Sequence, residues 1–166
     1  HSQLQEPLLV GFAIYFHDMV YDATAKDNEA QSALLWEQFA AETNLGASKV
    51  ASVSSWINRT AKHMEGPANG DLAFFLDIDL AVLGKPAAKY AEYARQIRLE
   101  YCHVPAADFA CGRAAVLHRF LQAERVYFTD IMHEELEAAA RSNLTAEIHR
   151  LEQSVAAIAT TGARHV

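Results

Sequence analysis

Strand-like alternation of apolar and polar residues is almost absent from this chain, and this absence limits its fold more than any other feature. Alanine is the commonest residue, and residues with high helix propensity dominate throughout. Helix-start and helix-stop signals divide the sequence into seven or eight helical segments joined by short connections. A chain of 166 residues also fits one domain. The sequence therefore predicts an all-α fold, with residues 1–166 forming a single compact multi-helix bundle.

Capping residues, prolines and glycines place the bounds of the predicted helices. Pro7 fits the first turn of the first helix, and Asp27 or Asn28 can cap the second. The segment 65–70 is predicted to be a loop. The predicted helices cover residues 7–21, 27–46, 48–63, 71–84, 86–101, 105–122 and 124–159, with 142–143 as the point where the last would divide in two. The glycine-rich motifs of P-loop and dinucleotide folds are missing, so any catalysis must come from side chains that project into the bundle.

An excess of acidic residues narrows the classes of partner. Fourteen Lys and Arg face 21 Asp and Glu, for a net charge of -7, and no basic stripe is visible. This argues against a nucleic-acid polymer as a ligand. No uncharged apolar run reaches the roughly 18 residues that a membrane span needs. Cys102 and Cys111 show neither metal-type nor disulfide spacing, which predicts buried or half-buried thiols and a cytoplasmic location.

Two places where polar residues interrupt apolar segments are the candidates for chemistry. Residues 8–16 are almost continuously apolar, which predicts a first helix that is buried on most sides. This helix runs directly into His17 and Asp18. Asp22 follows Asp18 by about one helical turn, so the carboxylates of Asp18 and Asp22 are expected on one face of the helix. The predicted fourth helix carries Asp77 and Asp79 within another apolar segment. Buried carboxylates are costly unless they are paired or bind a metal.

A shared divalent cation would account for these acids together with the histidine. Imidazole and carboxylate ligands suit Mn, Mg, Ni, Fe or Zn better than a metal that prefers thiolates. The competing interpretation is structural: His17 and Asp18 end a core helix, and Asp77 and Asp79 pair with arginines. The residues alone leave both interpretations open.

Several blocks of this sequence occur in the order typical of one protein family. In chain order they are FHDMVYD at 16–22, DNEAQSA at 27–33, TAKH at 60–63, LDIDLAVLG at 76–84, YAEYARQIRLEY at 90–101 and GR at 112–113. Together they resemble the HD-domain superfamily of metal-dependent phosphohydrolases, and in particular a bacterial branch of predicted HD-domain hydrolases whose substrate is not established. The similarity extends over nearly the whole chain. It implies an all-α fold that holds a divalent metal.

The resemblance also implies a set of metal ligands. The family holds its metal with a histidine, a His-Asp doublet and a distant aspartate. His17 and Asp18 match the doublet, and Asp79 matches the distant aspartate better than Asp77, because an apolar residue precedes it and leucine follows it. The family's first histidine lies on an upstream helix, for which His1 is the sole candidate here. We therefore expect that an N-terminal helix segment is missing from this chain and that the chain binds metal weakly.

Four residues are candidates for catalysis and substrate binding. In the family, a histidine at the position of His63 lines the pocket for a second metal or the substrate phosphate; the alternative is a helix-end histidine that interacts with the helix dipole. Asp22 and Glu29 are candidates for orienting a water molecule, or else belong to a solvated helix start. Arg98 is a candidate for clamping a phosphate through two hydrogen bonds, or else pairs with a nearby acid.

The expected activity is hydrolysis of a phosphate ester, as a phosphomonoesterase or phosphodiesterase, with a nucleotide or another small phosphorylated metabolite as substrate. Two other classes stay open. A carboxylate-bridged di-iron bundle uses Glu-x-x-His motifs, for which residues 100–103 and, less closely, 130–133 are candidates. A catalytically inactive helical ligand-binding module would keep the fold without the reaction. The substrate, the metal and the oligomeric state are also open, a homo-oligomer included.

Overall fold

The computed structural model describes residues 4–65, 68 and 70–162. Over this part of the chain it contains seven α-helices, one 3₁₀ helix and no strand, which confirms the all-α prediction. The chain divides into two compact units, His1–Asp79 and Leu80–Val166. The expectation of a single domain over residues 1–166 stays a prediction. His1 lies outside the described residues, as does part of the loop predicted at 65–70.

The first unit contains four helices: α1 (Pro7–Phe16), α2 (Asn28–Ala41), α3 (Ala47–Thr60) and α4 (Gly70–Asp79). Its core includes Trp36, which is fully buried. The ring centres of Phe12 and Phe16 lie 4.9 and 5.4 Å from that of Trp36. The indole N–H of Trp36 donates to the Val50 carbonyl at 3.0 Å. These contacts join α1, α2 and α3 in one aromatic-rich core.

The prediction that α1 is buried on most sides is wrong. Four of its ten residues are buried, whereas Leu8 and Tyr15 are 62% and 66% exposed and Ile14 is exposed as well. A continuous apolar run lacks the amphipathic pattern that shows which side of a helix contacts the core. The exposed side of α1 forms one wall of an apolar groove, and Leu35 and Phe39 of α2 belong to the other wall.

The first helix is also shorter than predicted. It ends at Phe16 rather than near residue 21. His17 and Asp18 lie in the turn that follows, and Asp22 lies in a loop. The expectation that Asp18 and Asp22 share a helix face is therefore wrong. The sequence did not reveal this helix end because the apolar run contains no residue that stops a helix.

Polar side chains of α2 hold the loop that follows the turn. The Asn28 side chain accepts the Asp22 N–H at 3.0 Å and donates to the Asp22 carbonyl at 2.9 Å. The buried Ser32 hydroxyl accepts the Val20 N–H at 3.0 Å. Such side-chain-to-backbone bonds offer the chain an alternative to the hydrogen bonds of a longer helix.

Three other predicted bounds in the first half of the chain shift as well. The helices α2 and α3 end at residues 41 and 60 instead of 46 and 63. The predicted fourth helix is α4 followed directly by a 3₁₀ helix over Leu80–Gly84. Helix ends commonly pass into turns and 3₁₀ segments, which sequence patterns do not resolve. As a consequence, His17, His63 and Asp79 all lie at or just after helix ends.

The second unit begins with that 3₁₀ helix and continues with α5 (Ala87–Glu100), α6 (Ala106–Gln122) and α7 (Asp130–Gly162). The positions of α5 and α6 agree with the prediction to within one residue. The last helix starts later than predicted and continues through 142–143, where the Asn143 side chain donates to the carbonyls of Leu83 and Lys85 at 2.8 and 2.9 Å. Neither α7 nor any other described helix is long and apolar enough to span a membrane.

Both cysteines are exposed, which contradicts the prediction of buried or half-buried thiols. Cys102 lies in the turn that follows α5, where the chain runs along the surface. Cys111 lies on the exposed side of α6. The general tendency of free cysteines to be buried therefore does not hold at either position.

Gly84, at the end of the 3₁₀ helix, has no room for a side chain. A Cβ at this position would lie 2.6 Å from the Cβ of Leu136 and 3.0 Å from both the Leu136 carbonyl oxygen and the Tyr127 hydroxyl. We expect Gly84→Ala to lower the free energy of unfolding by about 1–3 kcal/mol, because the overlap is with backbone and Cβ atoms that cannot rotate away. Urea unfolding followed by circular dichroism measures this change.

Gly112 in α6 provides the matched control, since no described atom, apart from its chain neighbours and the backbone of its own helix, lies within 4 Å of a Cβ built there. Gly112→Ala should leave the free energy of unfolding unchanged or raise it by up to about 1 kcal/mol, because alanine is the better helix former. Equal destabilisation by the two substitutions would contradict the close approach of Gly84 to α7.

Candidate functional site

Three helix ends of the first unit bring imidazole and carboxylate groups together. His17 follows the last residue of α1, and its N–H still donates to the Ala13 carbonyl at 3.0 Å. His63 lies in the turn after α3, and Asp79 is the last residue of α4. The side chains of His17, His63 and Asp79 are only 15–22% exposed. The three groups therefore lie at the edge of the core, partly shielded from water.

Asp79 is the centre of this cluster. Its Oδ1 lies 3.2 Å from His17 Nε2, and its Oδ2 lies 2.7 Å from His63 Nε2. Asp18 Oδ2 lies 3.4 Å from the same Nε2 of His17. Two imidazoles thus pair with Asp79, in contrast to the arginines of the structural interpretation. The structure brings together His17, Asp18, His63 and Asp79, all of which the sequence singled out.

The hydrogen bonding of His17 determines what its ring can do. Nδ1 lies 2.9 Å from the Ile14 carbonyl oxygen, which can only accept, so Nδ1 carries a proton. Nε2 then faces the carboxylates of Asp18 and Asp79. A lone pair directed at two carboxylates is unfavourable, so a cation is needed at Nε2, either a second ring proton or a metal ion. Metal-binding histidines usually donate their other N–H to a carbonyl or carboxylate, as His17 does here.

The ionised forms of these groups stabilise one another. Burial lowers the pKa of His17, but the hydrogen bond and charge of Asp79, together with the charge of Asp18, outweigh it and raise this pKa to about 9. Burial would raise the pKa of Asp79, but the hydrogen bonds and charges of His17 and His63 hold it well below its usual range. At neutral pH and without metal, His17 is therefore an imidazolium and Asp79 a carboxylate.

Asp18 is the most exposed member of the cluster, and the charge of Glu29 acts on it. The Asp18 side chain is 66% exposed. Partial burial raises the pKa of Asp18, the neighbouring His17 opposes this rise, and the charges of Asp79 and Glu29 add to it. Glu29 lies in the first turn of α2 and is half-buried. Its role in orienting water stays a prediction.

The types of donor atom suit a divalent cation, and two of their separations are compatible with one. An ion bound at about 2.1 Å keeps neighbouring donor atoms about 3 Å apart. His17 Nε2 lies 3.2 and 3.4 Å from its two carboxylate oxygens. Within residues 4–65, 68 and 70–162, however, no group of three or more His, Cys, Asp or Glu side chains is arranged to hold an ion. The groups contact each other directly, so an ion would have to replace the proton on His17 Nε2.

Two other predicted residues have different surroundings. Asp77 is fully buried within α4, whereas the contacts with imidazoles are made by Asp79, which favours Asp79 as the ligand. Asp22 is exposed, and its Oδ1 accepts the N–H and the hydroxyl of Thr24 at 2.8 and 2.7 Å. These bonds give Asp22 a role in the loop, and its catalytic role stays a prediction.

In the second unit, Arg98 stabilises the turn that follows α5. Its guanidinium donates to the Tyr101 carbonyl at 2.5 Å and to the Val104 carbonyl at 3.1 Å. Its central carbon lies 4.7 Å from the ring centre of Phe109. Both terminal nitrogens are therefore engaged with the protein itself, which supports a structural role. Phosphate binding by Arg98 stays a prediction.

The segments that suggested a di-iron bundle do not point to an interior site. Glu100 and His103 are both exposed. Asp130 is 86% exposed and pairs with Arg125 at 2.9 Å. A di-iron bundle needs such residues to project inward from its helices. The geometry of these segments therefore does not favour this class.

Three contributors to the site were not identified from the sequence. The ring of Phe75 lies edge-on to that of His17, with 5.7 Å between the ring centres. Ile14 contributes only its carbonyl oxygen, and Ser32 acts by holding the chain after Asp18. Phe75 and Ile14 lie within apolar runs, where no sequence signal marks one position above its neighbours.

The chain matches no protein-family model, no curated protein and no solved structure. The resemblance to the HD-domain superfamily therefore stays a prediction. The geometry of the cluster around Asp79 is then the main structural support for assigning a function.

Proposed function

We propose that this protein is a metal-dependent phosphohydrolase that acts on a nucleotide or another small phosphorylated metabolite. The observation that supports this most is the position of His17 Nε2, which faces Asp18 and Asp79 at a point where a cation is needed. A divalent ion of Mn, Mg, Ni, Fe or Zn would be held by these three residues. A cytoplasmic location, with neither a nucleic-acid polymer nor a membrane as partner, is part of the proposal.

The residues of the cluster have separate roles in this reaction. A divalent ion held there would supply a water ligand of lowered pKa and would polarise the phosphoryl oxygen. Glu29, whose charge reaches Asp18, accepts a hydrogen bond from the attacking water and so orients it. His63 turns its Nε2–H, which now lies 2.7 Å from Asp79, toward the charge that develops on the phosphate.

Asp22 and Arg98 are weaker candidates for these roles, because their side chains already bond to other parts of the protein. Asp22 is a second candidate for orienting water, but its Oδ1 already holds Thr24 in the loop. Arg98 is a second candidate for binding phosphate, but its guanidinium already binds two backbone carbonyls. We therefore assign the water-orienting role to Glu29 and the phosphate-binding role to His63.

A substrate screen tests the proposal. The protein is assayed with Mn, Mg, Ni, Fe or Zn against a panel of nucleotides and phosphorylated metabolites, and released phosphate is measured with and without a chelator. We expect metal-dependent release from at least one substrate class. Dioxygen-dependent absorption bands after iron loading, without phosphate release, would indicate the di-iron class instead. Binding of panel compounds without turnover and without metal affinity would indicate the inactive ligand-binding module.

A further inference from the structure

An apolar groove lies between α1 and α2 on the first unit and has no part in the proposed reaction. Its volume is about 650 Å³, and none of the described side chains that line it is charged. The most exposed of them are Leu8, Tyr15, Met19 and Phe39, at 43–66%. Contiguous exposed apolar side chains of this kind usually mark an interaction site. We call this surface the α1–α2 groove.

Gly11 in the middle of α1 is the second unusual feature of the groove. Apart from its chain neighbours and the backbone of its own helix, no described atom lies within 4 Å of a Cβ built at this position, and its φ is not positive. Neither packing nor backbone conformation within the chain therefore requires glycine. Glycine inside a helix costs about 1 kcal/mol relative to alanine. A residue without a side chain on the groove surface does, however, allow the backbone of another element to approach closely.

The net charge of the first unit limits what can bind in the groove. Neither α1 nor α2 contains a lysine or arginine, while α2 contains Glu29 and Glu37. The first unit, residues 1–79, has 11 Asp and Glu against 4 Lys and Arg, whereas the second has 10 of each. The whole net charge of -7 is thus carried by the unit that presents the groove. A cationic partner is attracted to this surface, and an anionic one is repelled.

We propose that the α1–α2 groove binds an amphipathic helix of another protein, with an apolar face and lysine or arginine on its flanks. Helix-in-groove recognition uses apolar anchors at i, i+3, i+4 and i+7. The ten residues of α1 extend over about 15 Å, which accommodates two to three turns of such a helix. Gly11 provides the point of closest approach, and the basic flanks meet the acidic unit.

Other occupants fit the charge less well. A second copy of this chain would bring its own acidic unit to the same surface, which opposes self-association through the groove. A membrane with anionic headgroups is repelled for the same reason. The apolar lining and the negative charge together favour a cationic helix, and they do so independently of the proposed metal site.

The experiment uses a defined probe. A fluorescent helical peptide of about 18 residues, with leucine on one face and lysine on the other, is titrated with the protein, and anisotropy is measured. A matched peptide has glutamate in place of lysine. We expect the lysine peptide to bind, its affinity to fall with added salt, and the glutamate peptide not to bind. Equal binding of the two peptides would overturn the charge argument.

Substitutions in the groove test where the peptide binds. Gly11→Leu fills the groove and should raise the Kd for the lysine peptide at least about ten-fold, and Leu8→Gln, at a side chain 62% exposed, should weaken binding too. Gly112→Leu, at the equally open glycine of α6, should leave the Kd unchanged. Thermal unfolding verifies that each variant is folded.

Three results would overturn the assignment. The first is unchanged affinity in both groove variants, which would place peptide binding elsewhere on the acidic unit. The second is a concentration-dependent dimer in sedimentation that Gly11→Leu abolishes, which would make a second copy the occupant. The third is binding to anionic lipid vesicles that Leu8→Gln weakens, which would replace the helix by a membrane surface.

Discussion

Asp79→Asn should reduce kcat/KM of the metal-loaded protein by at least about 100-fold. Loss of groups that only orient a metal ligand already costs about 10–100-fold, and Asp79 is assigned to the metal directly. In the metal-free protein the same carboxylate accepts from both His17 and His63, so the substitution also disturbs the arrangement of imidazoles into which the metal binds. Steady-state hydrolysis of the best substrate from the panel, at saturating Mn, measures the effect.

Asp27→Asn is the matched control for this substitution. Asp27 is exposed and occupies the N-cap position of α2, where asparagine is as favourable as aspartate. The control removes the same charge and should leave kcat/KM unchanged.

Asp77→Asn tests which aspartate is the metal ligand. If Asp77→Asn abolished metal-dependent activity in a folded protein while Asp79→Asn did not, the assignment of Asp79 would be wrong.

The affinity for Mn should rise about ten-fold per pH unit between pH 7 and 9. The pKa of His17 is raised to about 9, so in this range the metal has to displace one proton from Nε2. Above this pKa the ring is neutral and the dependence should level off. Calorimetric titrations in buffers of different ionisation enthalpy measure both the affinity and the release of one proton. A pH-independent affinity would show that His17 does not bind the metal.

In the metal-free protein, the ion pair between His17 and Asp79 predicts that stability falls as the pH rises. In the folded protein the pKa of His17 is about 9, above its ordinary value of 6.5. The contribution of His17 to the free energy of unfolding is therefore complete below pH 6.5 and is lost as the pH rises through 9. The lowered pKa of Asp79 affects stability in acid. Its contribution to the free energy of unfolding is lost only when the pH falls well below 3.8, the ordinary pKa of an aspartate. The unfolding temperature of the metal-free protein should therefore fall between pH 7 and 9, and His17→Gln should remove this decline.

The helical class and most of the helices could be predicted because helix propensity and the positions of proline are local properties of the sequence. For α5 and α6, prolines and polar residues at both ends placed the bounds within one residue. The end of α1 could not be predicted, because it depends on Asn28 and Ser32 of the next helix. The exposed side of α1 was missed for a related reason: a run without polar residues shows no amphipathic pattern.

The members of the candidate site could be selected from the sequence, but their arrangement could not. His17 and Asp79 are far apart in the sequence, and only the resemblance to a family related one to the other. Their contact depends on where α1 and α4 end. The bond from His17 Nδ1 to the Ile14 carbonyl is a property of the folded turn, and it is what leaves Nε2 directed at the carboxylates. The direct pairing of His63 with Asp79 was not expected either, since His63 was assigned to a second metal or a phosphate.

The most direct test of the central claim is an NMR titration of the histidine rings with Mn. Bound Mn broadens the signals of nearby nuclei, so it reports which imidazoles lie at the site. We expect the ring signals of His17 and His63 to broaden first and most strongly as Mn is added, while those of the exposed His118 and His149 persist. In Asp79→Asn the selective broadening should require much higher Mn concentrations. Uniform broadening of all histidines, or signals of His17 that persist at saturating Mn, would contradict a metal site at this cluster.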